Sequence, residues 1–361
     1  MKIGIVGLPF SGKSTLFATL MAHLSDEAGQ KHKHEAERGI VKVPDPRLDK
    51  LFAMFKPRKQ VNATIEYVKV PGFEQEGHRG SGLPAQFLAN VKTVDVILML
   101  VRAFENALYP HPLEKIDAAR DINFMQTEFM LNDLSIIENR VEKLAKLILK
   151  TQDDHDKREL AVLEKCKVFL ESEHPISELD LDEHELQLIH NYQFLTAKPV
   201  LYVINVGEND IKSIARITGG IKQKLGKDMV ITGLSAEIEH EISRLEPEDA
   251  QAFMEDLGID EPATDKLIHA SYRLLGLQSF FTFGENECRA WTIRAGTSAL
   301  KAAGIIHSDM EKGFIRAEVV SFEDLDREGS IAACREKGLW RLEGKDYVVR
   351  DGDILTIRFN V

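Results

Sequence analysis

The chain has 361 residues, 43% hydrophobic and 29% charged, enough to bury real cores and to form two or three domains. Its net charge of −12 argues against coating nucleic acid by bulk electrostatics, so no DNA partner is expected, although a local basic face could dock on RNA. No apolar run is long enough to span a bilayer, and Cys166, Cys288 and Cys334 are too scattered for a disulfide framework or a zinc site. The N-terminus also lacks the apolar core and cleavage site of a signal peptide, so a cytoplasmic protein without membrane attachment is expected.

The first element, Lys2 to Val6, has the character of a short buried strand, and the loop after it carries the strongest signal in the chain. Gly7, Gly12, Lys13 and Ser14 fit G-x-x-x-x-G-K-[ST], and Leu16, Leu20 and Leu24 continue at helical spacing. The chemistry asks for each part. Glycines let successive backbone N–H groups turn inward around a phosphate, and the helix start adds its positive dipole end. Lys13 is expected to reach the β- and γ-phosphates as a catalytic group, and the Ser14 hydroxyl to coordinate Mg²⁺. Gly7, Pro9, Phe10, Ser11, Gly12, Lys13, Ser14 and Thr15 are the expected phosphate-binding residues.

Residues 25–39 are polar and without period, which predicts a loop; "VPDPRLDKLFAMF" predicts a short helix after a proline-rich turn. "ATIEYVKV" and Val94 to Val101 predict buried strands, separated by a glycine-rich segment that passes into a helix at about Pro84. From about Asn123 to Thr196 the pattern becomes helical. Met130, Leu134, Ile137, Val141, Leu144 and Ile148 form a narrow seam at coiled-coil spacing, and "RELAVLEKCKVFLESE" supplies a return helix after a turn at "TQDDHDK". Lys198 to Asp210 and "DMVITGLSAEIEHEI" restore strands. The alternation around a leading phosphate loop argues for a doubly wound, mostly parallel α/β sheet. From about Gln278 short alternating strands surround one helix, and "DYVVRDGDILTIRF" predicts a closing hairpin with Asp351-Gly352 as its turn.

Together "VPDPRLDKL", "QFLANV" before "VDVILMLVRAFEN", "NVGE", "LSAEIE" and the run from "RAWTIRAGT" to "ILTIRFNV" resemble the YchF / Obg-like ATPase family over nearly the whole chain. The resemblance implies an α/β P-loop NTPase domain (residues 1–122 and 197–277), an inserted antiparallel helical coiled coil (123–196) and a C-terminal ubiquitin-like β-grasp (TGS) domain (278–361). It also implies ATP hydrolysis and ribosome binding, with the large subunit or RNA as partner.

Base choice follows from the run Asn205-Val206-Gly207-Glu208. GTPases read guanine with N-K-x-D; here the stacking lysine is absent and a longer carboxylate replaces the aspartate. That matches the family's N-x-x-E pattern and favours ATP over GTP. Asn205, Val206, Glu208, Ser235 and Ala236 are the expected base-site residues.

Two positions depart from the family. Its strand ends D-x-x-G, with an aspartate that holds Mg²⁺ through water; here the match is Lys69-Val70-Pro71-Gly72. Glu66 faces the opposite side of the strand and cannot easily replace it. Either Lys69 stands in for part of the metal's charge or the site has relaxed, so Mg²⁺ is in doubt. The loop that should carry a Mg²⁺-binding threonine, "GQKHKHEAERG", has none, and His32 and His34 alone make a poor metal site. His78 falls where some members place a water-positioning histidine and is the second expected catalytic residue. Three functions remain open: a slow ATPase that reports to the ribosome, a nucleotide sensor with weak hydrolysis, and a scaffold that has abandoned nucleotide.

Overall fold

A computed structural model describes residues 1–22, 37–71, 83–226 and 229–360. Their contacts divide them into two units, one holding residues 1–22, 37–39 and 66–264, the other 40–65 and 265–360. The sequence reading keeps 40–65 with the nucleotide domain, whereas here these residues cluster with the C-terminal ones.

The first sheet is built from β1 (Lys2–Val6), β2 (Glu37–Lys42), β4 (Thr64–Lys69), β5 (Val96–Ala103), β6 (Val200–Val206) and β7 (Val230–Leu234), in the order β2-β4-β1-β5-β6-β7. β4, β1, β5, β6 and β7 run parallel. Parallel strands are covered on both faces, which is why β1 and β5 read as continuous apolar runs: Ile3, Ile5 and Val6 are fully buried, as are Ile97 and Leu98. The helices of this unit are α1 (Lys13–Met21), α3 (Ala85–Lys92), α4 (Ala118–Thr151), α5 (Asp154–Glu171), α6 (Glu183–Ile189), α7 (Ile214–Leu225), α8 (Ala236–Ile242) and α9 (Pro247–Leu257). The loops after β1, β5, β6 and β7 all leave from the carboxyl ends of parallel strands, the side on which open α/β sheets place their ligands.

α4 begins earlier than the hydrophobic seam suggests, because the Asp117 side chain caps it by accepting from Arg120 N. Its first turns, with Ile122, Met125 and Phe129, belong to the core of the sheet. Beyond them Ile137 and Leu144 are buried against Val162, Leu163, Cys166 and Leu170 of α5, with Met130, Leu134, Val141 and Ile148 partly buried alongside. Gln152 turns the chain in the left-handed region and Asp153 caps α5 through His155 N and Asp156 N. The two helices therefore run antiparallel, as the ion pair from Arg140 to Glu159 records.

In the second unit α2 (Pro46–Phe55) and β3 (Lys59–Val61) join α10 (Ala263–Leu274, from Asp265 onward), β8 (Leu277–Phe283), β9 (Glu287–Arg294), α11 (Ala299–Ile306), β10 (Phe314–Ser321), β11 (Arg341–Glu343) and β12 (Asp353–Phe359). The sheet order is β11-β10-β12-β8-β9-β3. Ala299 and Ala302 of α11 pack on Phe280, Val319 and Leu355. The Phe55 and Phe283 rings stack 4.2 Å apart, fastening α2 to the edge of β8.

The closing hairpin does not form. The chain turns as expected, with Gly352 at φ 88° and Asp353 N donating to Arg350 O at 3.1 Å. β12 then pairs antiparallel with β10 and parallel with β8, while Val348 meets only Ser298. Long-range partners displaced the local one. Among the described residues no helix is long and apolar enough to cross a membrane.

Candidate functional site

The phosphate loop is shaped by two glycines that nothing larger could replace. A Cβ on Gly7 would lie 2.3 Å from Leu100 O, and one on Gly12, at φ 96°, would lie 2.3 Å from Asn205 Nδ2. Lys13 lies folded into the loop. Its ammonium donates to Gly7 O at 2.9 Å and Leu8 O at 2.8 Å, so carbonyls hold it where a phosphate would be met. Burial first, and the Lys69 charge second, lower its pKa to about 8.

Asn205, at the end of β6, clips three segments together. Its Nδ2 donates to Ser11 O at 3.0 Å and its Oδ1 accepts from Ala236 N at 2.9 Å. The side chain expected at the base is thus engaged in bracing the phosphate loop against the start of α8. Ser235 is the buried N-cap residue of that helix. Glu208 is exposed and opens a short 3-10 turn, Glu208–Ser213.

Pro9 through Thr15, Asn205, Val206, Gly207 and Ala236 line one cleft of about 1210 Å³. Of the expected residues, Gly7 lies beneath it, against Leu8 and Leu100, Ser235 and Glu208 flank it, and His78, like His32 and His34, lies outside the described residues. The rest of the wall comes from residues that sequence reasoning missed: Arg102 at the end of β5, Phe104, Tyr109 and His111 after it, and His240 and Arg244 around α8. Arg102 is buried and braces this wall, donating from Nε to Phe104 O at 3.0 Å and from Nη1 to Tyr109 O at 2.8 Å. Phe10 bridges the two walls: it sits at φ 61°, unusual for an aromatic residue, and stacks on Tyr109 with ring centroids 5.3 Å apart. His111 accepts from Leu113 N at Nδ1 and meets Asp121 at Nε2, 2.9 Å away; burial holds its pKa below the ordinary value. The available signal was position, since Arg102 ends β5 and is followed by this segment just as Asn205 ends β6 and is followed by Gly207 and Glu208.

This geometry has known counterparts. A family model described as 50S ribosome-binding GTPase (MMR_HSR1) matches residues 2–165, and one described as a protein of unknown function (YchF-GTPase_C) matches residues 277–360. The chain is 42% identical to the ribosome-binding ATPase YchF of Haemophilus influenzae, covering 100% of this chain and 99% of that protein. It is 34% identical to Obg-like ATPase 1 of Caenorhabditis elegans, covering 100% and 92% of the two chains.

The chain belongs to the YchF family. A solved YchF GTPase structure from Schizosaccharomyces pombe shares the fold with a TM-score of 0.88 at 32% identity, covering 99% of this chain and 97% of that one.

A YchF-type site implies Mg²⁺ on the Ser14 hydroxyl, and the residues around that hydroxyl test the fit. Mg²⁺ binds oxygen at about 2.0–2.1 Å in near-octahedral geometry. The Lys69 ammonium stands 3.5 Å from Ser14 Oγ, at the end of β4 where the D-x-x-G aspartate belongs. Its other side is held by Glu37 Oε2 at 2.9 Å. A cation therefore already occupies the space a divalent ion would share with Ser14, and a second one would be repelled by it. These residues do not fit a magnesium ion.

Proposed function

We propose that the chain is a cytoplasmic P-loop protein that binds purine nucleotide in this cleft, prefers ATP to GTP, hydrolyses it slowly, and couples its nucleotide state to association with the ribosome or with RNA. The observation that carries this reading is the intact phosphate loop, with Lys13 held inside it and Asn205 clamping Ser11 to Ala236. Such a loop is costly to keep: two glycines are pinned at close approaches and a lysine is buried. In this reading Lys13 meets the β- and γ-phosphates, Glu208 and Val206 flank the base, Ser235 and Ala236 close the site, and His78 orients the attacking water. The ATP preference is supported by Val206 and Glu208 in place of the lysine and aspartate that read guanine. The partner is supported by the names of the relatives, ribosome-binding ATPases.

The proposed domain division keeps the nucleotide domain in 1–122 and 197–277, a coiled-coil insertion in 123–196 and a TGS domain in 278–361. Separate cores support it, since one buried cluster spans Ile137 to Phe194 and another Phe280 to Leu355. A second functional reading, a sensor that binds nucleotide but barely hydrolyses it, is favoured by Lys69 beside Ser14.

Calorimetric titration of ATP and GTP tests the binding claim. ATP should bind about tenfold or more tighter than GTP, and Lys13→Ala should weaken ATP by about a hundredfold, the scale of losing a charge-assisted phosphate contact. Equal affinities would sink the base assignment; no ATP binding would sink the nucleotide reading.

A further inference from the structure

Lys69 is fixed by the sheet. Its Cα is paired with Ile5 in the β1–β4 ladder, and Val70 N donates to Ile5 O at 3.1 Å, so its Cβ leaves the backbone one strand away from the root of the phosphate loop. The side chain is only 19% exposed and its ammonium lies 5.9 Å from the Phe17 ring centroid. Among the described residues that ammonium meets the Ser14 hydroxyl, the Glu37 carboxylate and the Phe17 face. Lys13, the neighbour of Ser14, holds its ammonium in the loop and lies near enough for the Lys69 charge to act on it. Two ammonium groups thus converge on one phosphate position, and the second stands beside the hydroxyl that would ligate a metal.

We propose that this site takes a nucleoside triphosphate without a divalent cation, the Lys69 ammonium supplying beside Ser14 the positive charge that magnesium would otherwise bring. This rests on the nucleotide reading above. Glu37 is the placeholder: it neutralises Lys69 while the site is empty and is exchanged for phosphate oxygens when nucleotide enters. Its own side chain is 55% exposed, so releasing it to water costs little. The exchange also explains why a lysine is tolerated where it meets Lys13. Without an anion nearby, two ammonium groups in a partly dry site would repel each other; with phosphates between them, both are satisfied. No bond is made or broken in this step.

The test is ATP affinity with excess Mg²⁺ and with EDTA, on the full chain. The wild type should bind ATP in EDTA at least as tightly as with Mg²⁺. Lys69→Met should lose about tenfold or more in EDTA, the scale of one charged hydrogen bond, and Glu37→Gln should gain affinity. Lys69→Asp should bind ATP tightly only when Mg²⁺ is present. Circular dichroism confirms folding of each variant, and Lys69→Met, which adds no buried carboxylate, keeps the test decisive if Lys69→Asp misfolds. Wild-type binding that falls about tenfold or more on chelation, and is abolished by Lys13→Ala, would overturn the metal-free proposal while leaving the nucleotide reading standing. No ATP binding under either condition would overturn both.

Discussion

In the proposed function Lys13 meets the phosphates, and its surroundings set a pH signature. With its ammonium on the loop carbonyls its pKa is lowered to about 8, by burial and then by the charge of Lys69. Bound phosphate favours the ammonium form and raises that value, so nucleotide binding is linked to proton uptake. The sign follows: below about pH 8 the lysine is already charged and affinity is flat; above it, ATP must recharge the lysine and affinity falls, by up to about tenfold per pH unit. Titration at a series of pH values from about 7.5, above the phosphate's own second ionisation, to about 9.5 should show this break. Lys69→Met should move the break upward, because the second depressing charge is gone. A flat profile across that range would mean Lys13 does not meet the phosphate. Asn205 carries the complementary lesson. The motif N-x-x-E identifies the residue but not its use, because both of its polar atoms are consumed by Ser11 O and Ala236 N.

Elements of this fold are joined by buried polar ties that a hydropathy pattern does not reveal. Asp133 of α4 is fully buried, and its carboxylate accepts from Leu195 N, Thr196 N and Thr196 Oγ1 at 3.1, 2.8 and 2.7 Å. It fastens the helical hairpin to the segment that leads into β6. Asp133→Ala leaves three buried donors without an acceptor and should cost about 3 kcal/mol, read as a lower urea midpoint for the first unit; a loss below about 1 kcal/mol would show that the tie is replaceable. The sequence predicts β1, α2, α3, β5, β6 and the helical hairpin because each carries its own period, cap or proline. It misses the start of α4, where the Asp117 cap rather than the apolar seam sets the boundary. It also predicts a terminal hairpin that β10 and β8 pre-empt by pairing with β12. Pairing between strands far apart in the chain leaves no local mark. For the same reason the phosphate loop and the 205–208 run are legible as motifs, while Arg102, Phe104, Tyr109 and His111 become site residues only once β5 lies beside β1.

Across the described residues the same theme recurs: residues 40–65 lie early in the sequence yet cluster with 265–360. There β3 pairs with β9, and Arg47 of α2 forms an ion pair with Asp351 at 2.8 Å. The C-terminal unit therefore does not begin at a single boundary in the sequence. The proposed coupling of nucleotide in the cleft to ribosome association is tested most directly by sedimentation of the full chain with purified ribosomes, with and without ATP, for wild type and Lys13→Ala. ATP should change the fraction of wild-type protein that pellets and leave Lys13→Ala unchanged. Pelleting that ignores ATP and survives Lys13→Ala would contradict it and leave a ribosome-binding scaffold.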